Sequence, residues 1–430
     1  MHYLIVGGCA AGLNAIEGIR EEDQQGEITL VSAEPYLPYA RCLITNYLAG
    51  THSKKDLCLK DENYFRKNRV ALLLGERVTR IIPGEKRVQT ASGKQLRYDR
   101  LLVATGSLPR NLGVAGEQIE GIYHFWTLTD AQGILARAEK CKQAVIFGGG
   151  LIGLKAATAL KKRGLKVQII VKSHHLLSQL VNPEAAEIVA DCLQANGLII
   201  RTGLAPVEML GEQELSGVKL DNGEKMETGL AIVGKGVFPN KELGKEAGTE
   251  CRYGIVVDDF LQTGCPDVFA AGDVAETRDM ITGESTVNGL WLTAQEQGRL
   301  AGLNMAGARR KYPGSFPANA TEFFGLPLVS AGILRPEKSD EIREKQDRKS
   351  WNYQRFILRK NRLVGFVMVG GDPQQAGFYT AVIRAGIDLK NYKNFLGKSY
   401  FDYGYLREKL EKDTGFRESV SPEGQQIFFS

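Results

Sequence analysis

Short-range cysteine pairs are missing from this sequence. Its seven cysteines, at positions 9, 42, 58, 141, 192, 251 and 265, form no Cys-x-x-Cys or Cys-x-x-x-x-Cys spacing and no ligand set for zinc or an iron–sulfur cluster. No metal site is expected, and any one-electron metal centre has to sit on another protein. Long apolar runs are missing too: no stretch reaches the length of a membrane helix, and the first strand opens at Tyr3 without room for a secretory or transit segment. A cytoplasmic protein with reduced thiols is expected. A large charge of one sign is absent, with 55 Lys and Arg against 50 Asp and Glu. Neither a nucleic-acid nor a membrane partner is expected.

Glycine is what the sequence has in number and in pattern. Gly7-Gly8-Cys9-Ala10-Ala11-Gly12 follows the apolar run from Tyr3 to Val6, and Gly148-Gly149-Gly150-Leu151-Ile152-Gly153 follows the run from Ala144 to Phe147. Both have the strand, tight turn and helix order that lays a dinucleotide pyrophosphate against backbone N–H groups at a helix N-terminus. One such turn is often only tight packing between a strand and a helix. Two of them, followed by Thr263-Gly264-Cys265-Pro266-Asp267-Val268-Phe269-Ala270-Ala271-Gly272-Asp273, point to two dinucleotides in one chain and to a hydride passed between them. The candidate contacts are Gly7, Gly8, Ala11 and Gly12 in the first turn, and Gly148, Gly150, Ile152 and Gly153 in the second.

A chain of 430 residues is expected to form two or three domains, and its 43% hydrophobic and 24% charged content fits an ordinary soluble enzyme. Strands at 3–6 and 28–31 flank a helix from Ala11 to Arg20. Glu34 lies just past the second strand, where an acid either accepts both hydroxyls of an adenosine ribose or opens an exposed Pro-rich loop. Leu101 to Val103 reads as a further strand ending in Thr105-Gly106, a turn that lets backbone approach a cofactor. A second unit spans 112–249, with strands near 144–147, 167–171 and 229–233, and closes on Gly234-Lys235-Gly236. The first domain, 1–111 and 250–317, is thus split by the second, and Leu292 to Ala306 is helical by pattern.

From 318 to 398, strands at Tyr353 to Leu358 and Leu363 to Val369 and a helix near Gln374 to Ala385 suggest a small α+β domain. The fold class expected is α/β: two Rossmann-like three-layer dinucleotide-binding domains, the second inserted in the first, plus a C-terminal α+β domain. The tail 399–430, aromatic and charged from Tyr400 to Tyr405, has no assigned role. Between Arg335 and Arg362, ten Lys or Arg stand against five Asp or Glu. That segment is either a solvated hairpin or a basic surface that steers an acidic partner.

With these motifs in this order, the chain resembles the two-dinucleotide flavoproteins of the pyridine nucleotide-disulfide oxidoreductase superfamily, over residues 1 to 395. The resemblance implies FAD in the split domain, NAD(P)H in the inserted one, and a C-terminal domain that covers the site or makes a homodimer. The loop Glu34-Pro35-Tyr36-Leu37-Pro38-Tyr39-Ala40-Arg41-Cys42-Leu43-Ile44-Thr45 resembles the Glu-x-x-x-Pro-Tyr-x-Arg-Pro-x-Leu-Ser loop of the rubredoxin, ferredoxin and nitrite reductase branch. Carried over by position, Gly7 and Gly12 face the FAD pyrophosphate, Glu34 its adenosine ribose, and Asp273, after Gly272, the ribityl chain or phosphates. Arg41 and Arg110 compensate charge near the diphosphate. Val78, Thr105 and Gly106 belong to the same site, and the helix after Trp291 turns its N-terminus to the pyrimidine edge of the flavin. Lys172 and Gly236 stand on the nicotinamide nucleotide's side.

The departures from the family pattern bear on function. Cys9 replaces the middle glycine of the first turn and reads as small and buried. Where many relatives keep a flavin-side Lys paired with a Glu after the second turn, this chain has Asn46 and Lys155. Lys155 either reaches the flavin N5 and nicotinamide region, where a cation stabilises the hydride-accepting ring, or turns to solvent. The second unit's strand ends Lys172-Ser173-His174-His175, without an acid to repel a 2′-phosphate and without an Arg to grip it, which favours NADPH or use of both nucleotides. Cys42 stands in place of the loop's first Pro, either as a redox thiol or as a packing residue.

The leading expectation is an FAD-dependent NAD(P)H oxidoreductase. It exchanges electrons with an iron–sulfur or rubredoxin-type carrier, or with a cluster-bearing subunit of a larger complex. The alternatives are an NADH oxidase or CoA-disulfide reductase using Cys42, and a flavin-bound redox-sensing interaction protein.

Overall fold

The computed structural model describes residues 1–414, which divide into two compact units. The first holds Met1–His174 with Gly197–Ser315, the second His175–Asn196 with the chain from Phe316 onward. Among the described residues no helix is long and apolar enough to cross a membrane.

Two all-parallel, five-stranded sheets organise the first unit. One has the order Val268–Ala270, Arg100–Val103, His2–Val6, Glu27–Ser32, Val70–Leu74; the other Ile199–Thr202, Lys166–Val171, Gln143–Phe147, Ala231–Val233, Ile122–His124. Each central strand has partners on both sides, Val6 aligning with Val31 and Val103, Phe147 with Ile170 and Val233. A strand covered on both faces needs apolar residues at every position, and Leu4, Ile5, Val145 and Ile146 are accordingly all buried. Because the chain runs first to one side of the central strand and later to the other, a crevice opens at the strands' C-terminal ends. Gly7 and Gly148 sit at that point in their respective sheets.

The backbone demands glycine there. φ is +124° at Gly7 and +125° at Gly148. A Cβ on Gly7 would lie 2.0 Å from the Ala104 carbonyl oxygen, and one on Gly148 2.2 Å from that of Gly234. Matching main-chain bonds close the two turns, Gly7 N–H donating to Val31 O at 2.8 Å and Gly148 N–H to Ile170 O at 3.0 Å.

The helices Ala10–Glu22 and Trp291–Met305 cross with their backbones touching. A Cβ on Gly298 would come within 2.1 Å of Ala11 O, one on Gly302 within 2.2 Å of Ala15 O, and one on Gly18 within 2.1 Å of Arg299 O. Ala11, Ala15 and Gly18 thus form a small-residue stripe at helical spacing that meets Gly298 and Gly302. The two parts of the unit are joined by a ribbon in which Ser107–Pro109 runs antiparallel to Val237–Pro239. Asn240 N–H donates to Gly106 O at 2.9 Å and Arg110 N–H to Gly236 O at 3.0 Å, extending the ribbon at both ends.

In the second unit an antiparallel sheet has the order Ala318–Phe323, Leu326–Gly332, Arg362–Val369, Asn352–Arg359, Glu341–Asp347. The helix Pro183–Ala195 belongs with this sheet, although its sequence lies inside the 112–249 stretch. Asn182 Nδ2 donates to Tyr353 Oη at 2.6 Å and the Cys192 thiol to Phe323 O at 3.5 Å. Phe356 and Phe366 pack on Tyr379 of the helix Gln375–Ala385, with centroids 4.9 and 5.7 Å away.

The start of the tail is core: Phe401 is fully buried, its ring 5.3 Å from Phe378 and 6.0 Å from Phe395, and the helix Tyr403–Thr414 follows. The remainder of the tail lies outside the described residues. The basic stretch forms the hairpin of Glu341–Asp347 with Asn352–Arg359, and much of its charge is paired within the unit. Arg359 holds Asp340 through two bonds of 2.9 Å, and Glu341 takes Arg343 at 2.8 Å and Lys393 at 2.6 Å.

Helix contact and open space give opposite signs for the same substitution. Gly298→Ala should lower global stability by about 1–3 kcal/mol through overpacking. Gly377→Ala, in a helix where a Cβ meets nothing within 4 Å, should raise it by ~0.5 kcal/mol. Urea unfolding of both variants measures this, and equal shifts would contradict the backbone contact.

Candidate functional site

A cavity of about 580 Å³ opens above the first sheet at the crevice. The starts of both touching helices border it, contributing Gly7 to Ala11 from one and Leu290, Trp291 and Ala294 from the other. Neither helix has a side-chain cap: Cys9 and Leu290 at the N-cap positions make no capping bond, and no acid stands in either first turn. Other helices here are capped, Leu128–Ala138 by a Thr127/Asp130 capping box and Glu62–Lys67 by Asp61. The two helices at the cavity therefore present free N–H groups and their positive ends to it, which suits an anionic group such as a pyrophosphate. The helix Leu151–Lys162 repeats this arrangement beside the second turn, with Gly150 at its N-cap and open space where a Gly150 Cβ would stand.

A hydrogen-bonded chain runs along the cavity wall. Glu34 pairs with the Arg41 guanidinium and accepts from Tyr39 Oη at 2.5 Å. Tyr39 Oη in turn accepts the Leu128 N–H at 2.9 Å, and Arg41 Nη1 donates to Trp126 O at 2.8 Å. Trp126 Nε1 donates to Ser107 O at 3.0 Å, and Ser107 Oγ donates to Asp273 Oδ2 at 2.8 Å. Arg41 is also held between two rings, 5.7 Å from the Tyr39 centroid and 5.6 Å from that of Trp126. Burial pushes the Tyr39 hydroxyl up, so it stays a neutral donor. Burial likewise pushes the Cys9 thiol up, against the opposing pull of Arg41.

Of the residues expected from sequence, Gly7, Gly8, Ala11, Glu34, Arg41, Val78, Thr105, Gly106, Gly272, Asp273 and Trp291 line this cavity. Gly12 is not in the lining; its Cβ position is 1.9 Å from Gly7 O, so only glycine fits the turn's packing there. Arg110 is exposed and lies over the Phe238 ring at 5.5 Å, outside the lining. Trp126, Tyr39 and Ser107 line the wall without having been singled out. The one sequence signal for Trp126 is the capping box that follows it, Thr127-x-x-Asp130.

The second turn holds Gly148, Gly150, Ile152 and Gly153, with Gly153 packed like Gly12, 2.2 Å from Gly148 O at its Cβ position. Gly236 has φ +83°, and Lys172 is exposed at the end of the strand Lys166–Val171. Cys42, Asn46 and Lys155 also lie outside the 580 Å³ lining. The short helix Ile44–Ala49, which carries Asn46, is tied to the helix Leu151–Lys162 by Arg163, whose Nε donates to Leu48 O at 2.8 Å. This brings Lys155 close to Cys42, which is exposed. Burial lowers the Lys155 pKa and the field of Cys42 opposes the shift. Lys155 makes no ion pair or hydrogen bond among the described residues.

Two matching glycine turns on two parallel sheets define a fold with two dinucleotide-type domains. Residues 1–298 match the pyridine nucleotide-disulphide oxidoreductase family and residues 317–387 the rubredoxin NAD+ reductase C-terminal domain. The chain belongs to the pyridine nucleotide-disulphide oxidoreductase family. It is 30% identical over 388 residues to the nitrite reductase (NAD(P)H) of Bacillus subtilis (strain 168), covering 90% of this chain and 47% of that protein. This chain thus spans about half the length of that relative. It is 32% identical over 360 residues to the NADH-dependent phenylglyoxylate dehydrogenase subunit epsilon of Aromatoleum evansii, covering 83% and 85% of the two chains. The crystal structure of a covalent putidaredoxin reductase–putidaredoxin complex superposes with a TM-score of 0.86 at 25% identity, over 97% of this chain and 99% of that one.

The cysteines report on this arrangement. Native protein treated briefly with iodoacetamide at mildly alkaline pH should be alkylated at the exposed Cys42 and Cys58 and spared at Cys192 and Cys9, whose thiols burial pushes up. Peptide mass spectrometry reads the pattern, and early labelling of Cys9 would contradict its raised pKa.

Proposed function

We propose that this chain is an FAD-dependent NAD(P)H oxidoreductase that passes electrons to an iron–sulfur or rubredoxin-type acceptor. It acts either alone or as the flavin-bearing part of a larger assembly. The observation that carries this reading is the duplicated turn: two uncapped helix starts border one cavity, and a second copy of the same geometry carries Lys155 toward the loop beside that cavity. FAD fits the first site, since the free N–H groups of the first turn suit its pyrophosphate and the Glu34 carboxylate suits ribose hydroxyls. When bound, FAD supplies the ability to take a hydride and to give up electrons one at a time. Ser107 orients Asp273, and the start of the helix Trp291–Met305 directs its positive end at the far side of the cavity.

NAD(P)H is assigned to the turn Gly148 to Gly153 and to Gly236, with the exposed Lys172 at the adenosine end compatible with a 2′-phosphate. The acceptor class is supported by the match of residues 317–387 to a rubredoxin reductase domain and by a flavin-side loop with a single cysteine. Mixing protein reduced under anaerobic conditions with rubredoxin or a two-iron ferredoxin tests this. Flavin reoxidation within the mixing experiment is expected, and reoxidation by neither carrier would overturn the acceptor assignment.

A second reading rests on the exposure of Cys42 and its closeness to Lys155: a thiol route, as in NADH oxidases or CoA-disulfide reductases. Cys42→Ser separates the two, since iron-protein reduction should persist and thiol-dependent turnover should not.

Lys155 is assigned the charge that steadies hydride transfer. A half-buried ammonium without a carboxylate partner is costly to hold unless a ligand's negative charge meets it. Lys155→Met should slow flavin reduction by NAD(P)H about tenfold or more, corresponding to ~1.4 kcal/mol in the barrier. Its pKa is lowered, so the cation is present at low pH and lost as pH rises through a value below 10.5. The wild-type rate should therefore fall on the alkaline side while the Met variant stays flat. Stopped-flow absorbance of the flavin measures both, and an unchanged rate removes the role.

A further inference from the structure

Gln297 is a buried amide, 1% exposed, on the helix whose first residues border the cavity. Its Oε1 accepts the N–H of Gly272 at 2.8 Å. Its Nε2 faces two buried hydroxyls, Thr277 Oγ1 at 3.4 Å and Tyr312 Oη at 3.3 Å. Gly272 has φ +81° and sits on the cavity wall, its Cβ position 3.2 Å from the Ala11 side chain and 3.6 Å from that of Ala294. The turn is thus wedged between the two helix starts, and a side chain two turns further along one of them holds its amide.

The neighbouring N–H groups explain what that hold accomplishes. Ala271 N–H donates to Val103 O at 3.2 Å, which continues the parallel sheet. Gly272 N–H is taken by Gln297. Asp273, next in line, borders the cavity with its carboxylate fixed by Ser107, and its N–H has no partner among the described residues. A backbone turn offering two free amides can rock between them; one that has already committed Gly272 offers only Asp273.

Building on the FAD reading above, we propose that Gln297 is a positioning residue of the dinucleotide site. By fixing the Gly272 N–H, it aims the Asp273 N–H and carboxylate at phosphate or ribityl oxygens of the bound cofactor. Gln297 itself does not touch the ligand. Any acceptor at its Oε1 serves the purpose, since Thr277 and Tyr312 can reverse their hydroxyls and donate in turn.

Hydrogen–deuterium exchange on the wild-type chain, resolved to single amides, tests this without any substitution. Gly272 N–H should exchange slowly with and without FAD, whereas Asp273 N–H should become slow only with FAD. Protection of both amides solely on FAD binding would overturn the proposal. Fluorescence titration of the deflavinated protein then compares variants. Gln297→Met should weaken FAD binding at least tenfold, and Gln297→Glu should restore it to within about threefold at pH values where its carboxylate accepts.

If both variants bind FAD as wild type does, Gln297 has no positioning role. If Glu is as weak as Met while both keep the wild-type unfolding temperature without FAD, the acceptor argument fails as well. Should Gln297→Met not fold, the exchange of Gly272 and Asp273 in the wild-type chain, with and without FAD, decides the proposal by itself. A wild-type chain that takes up no FAD would instead overturn the cofactor reading and leave the exchange of Gly272 to stand by itself.

Discussion

Everything at the first dinucleotide site depends on one contact, the backbone-to-backbone crossing of Ala10–Glu22 with Trp291–Met305. The residues at this crossing are nearly 300 positions apart in sequence, and the crossing leaves no room for a side chain at Gly18, Gly298 or Gly302. Glycine inside a helix costs roughly 1 kcal/mol relative to alanine, so three such positions weaken both helices on their own. The compensation is geometric. Only with the axes this close do two uncapped N-termini open on one cavity, where their partial charges add for a single anionic ligand. Wider spacing by the thickness of a methyl layer would also move Gly272, which is held between Ala11 and Ala294, off its present line.

The two glycine turns share φ values, close approaches and closing hydrogen bonds, yet their surroundings differ. Around the first, the two acids that face the glycine turns are already engaged, Glu34 with Arg41 and Tyr39 and Asp273 with Ser107. Such a wall is preorganised, and a ligand displaces or joins existing bonds without reordering side chains. Beside the second, Lys155 is partly buried and has no counter-ion among the described residues. A stably bound cofactor suits the first environment. A visiting nucleotide that must arrive, react and leave suits the second, where the unmatched charge is a cost to the empty site and a gain to the loaded one.

Much of this was legible in the sequence, because it is encoded locally. Each glycine turn with its two flanking parallel strands, and Glu34 after the first, is written within about thirty residues, in spacings that elementary backbone sterics fix. What escaped is the chemistry that distance in sequence hides. Trp126, Ser107 and Gln297 matter through partners that only folding brings together, and beyond the capping box after Trp126 their neighbourhood does not mark those partners. A turn's packing glycine, such as Gly12, and its ligand-facing glycines look alike in one dimension. Pro183–Ala195 is amphipathic whichever sheet it covers, so its membership in the second unit could not be read from its pattern.

The basic stretch from Arg335 to Arg362 shows the same limit from the side of charge. Counted along the chain it is a patch; folded, it is a hairpin whose outer strand, Glu341–Asp347, is the edge of the second unit's sheet. Alternating acids and bases on an edge strand resist pairing with another chain's edge, since a register that matches backbone bonds brings charged side chains together and strips them of water. Asp340, Glu341 and Glu344 hold Arg359, Arg343, Lys393 and Arg355, so the arginines that dominate the count are spent inside the unit. The surplus that remains is carried by lysines such as Lys338, Lys345, Lys349 and Lys360, long and solvated. Such charges hasten an acidic partner's approach through a field that salt screens over about 8–10 Å, and contribute little to holding it. Recognition of an electron acceptor has to rest on a surface with shape, and the hairpin, whose structure is accounted for by guarding an edge, is not required to provide one.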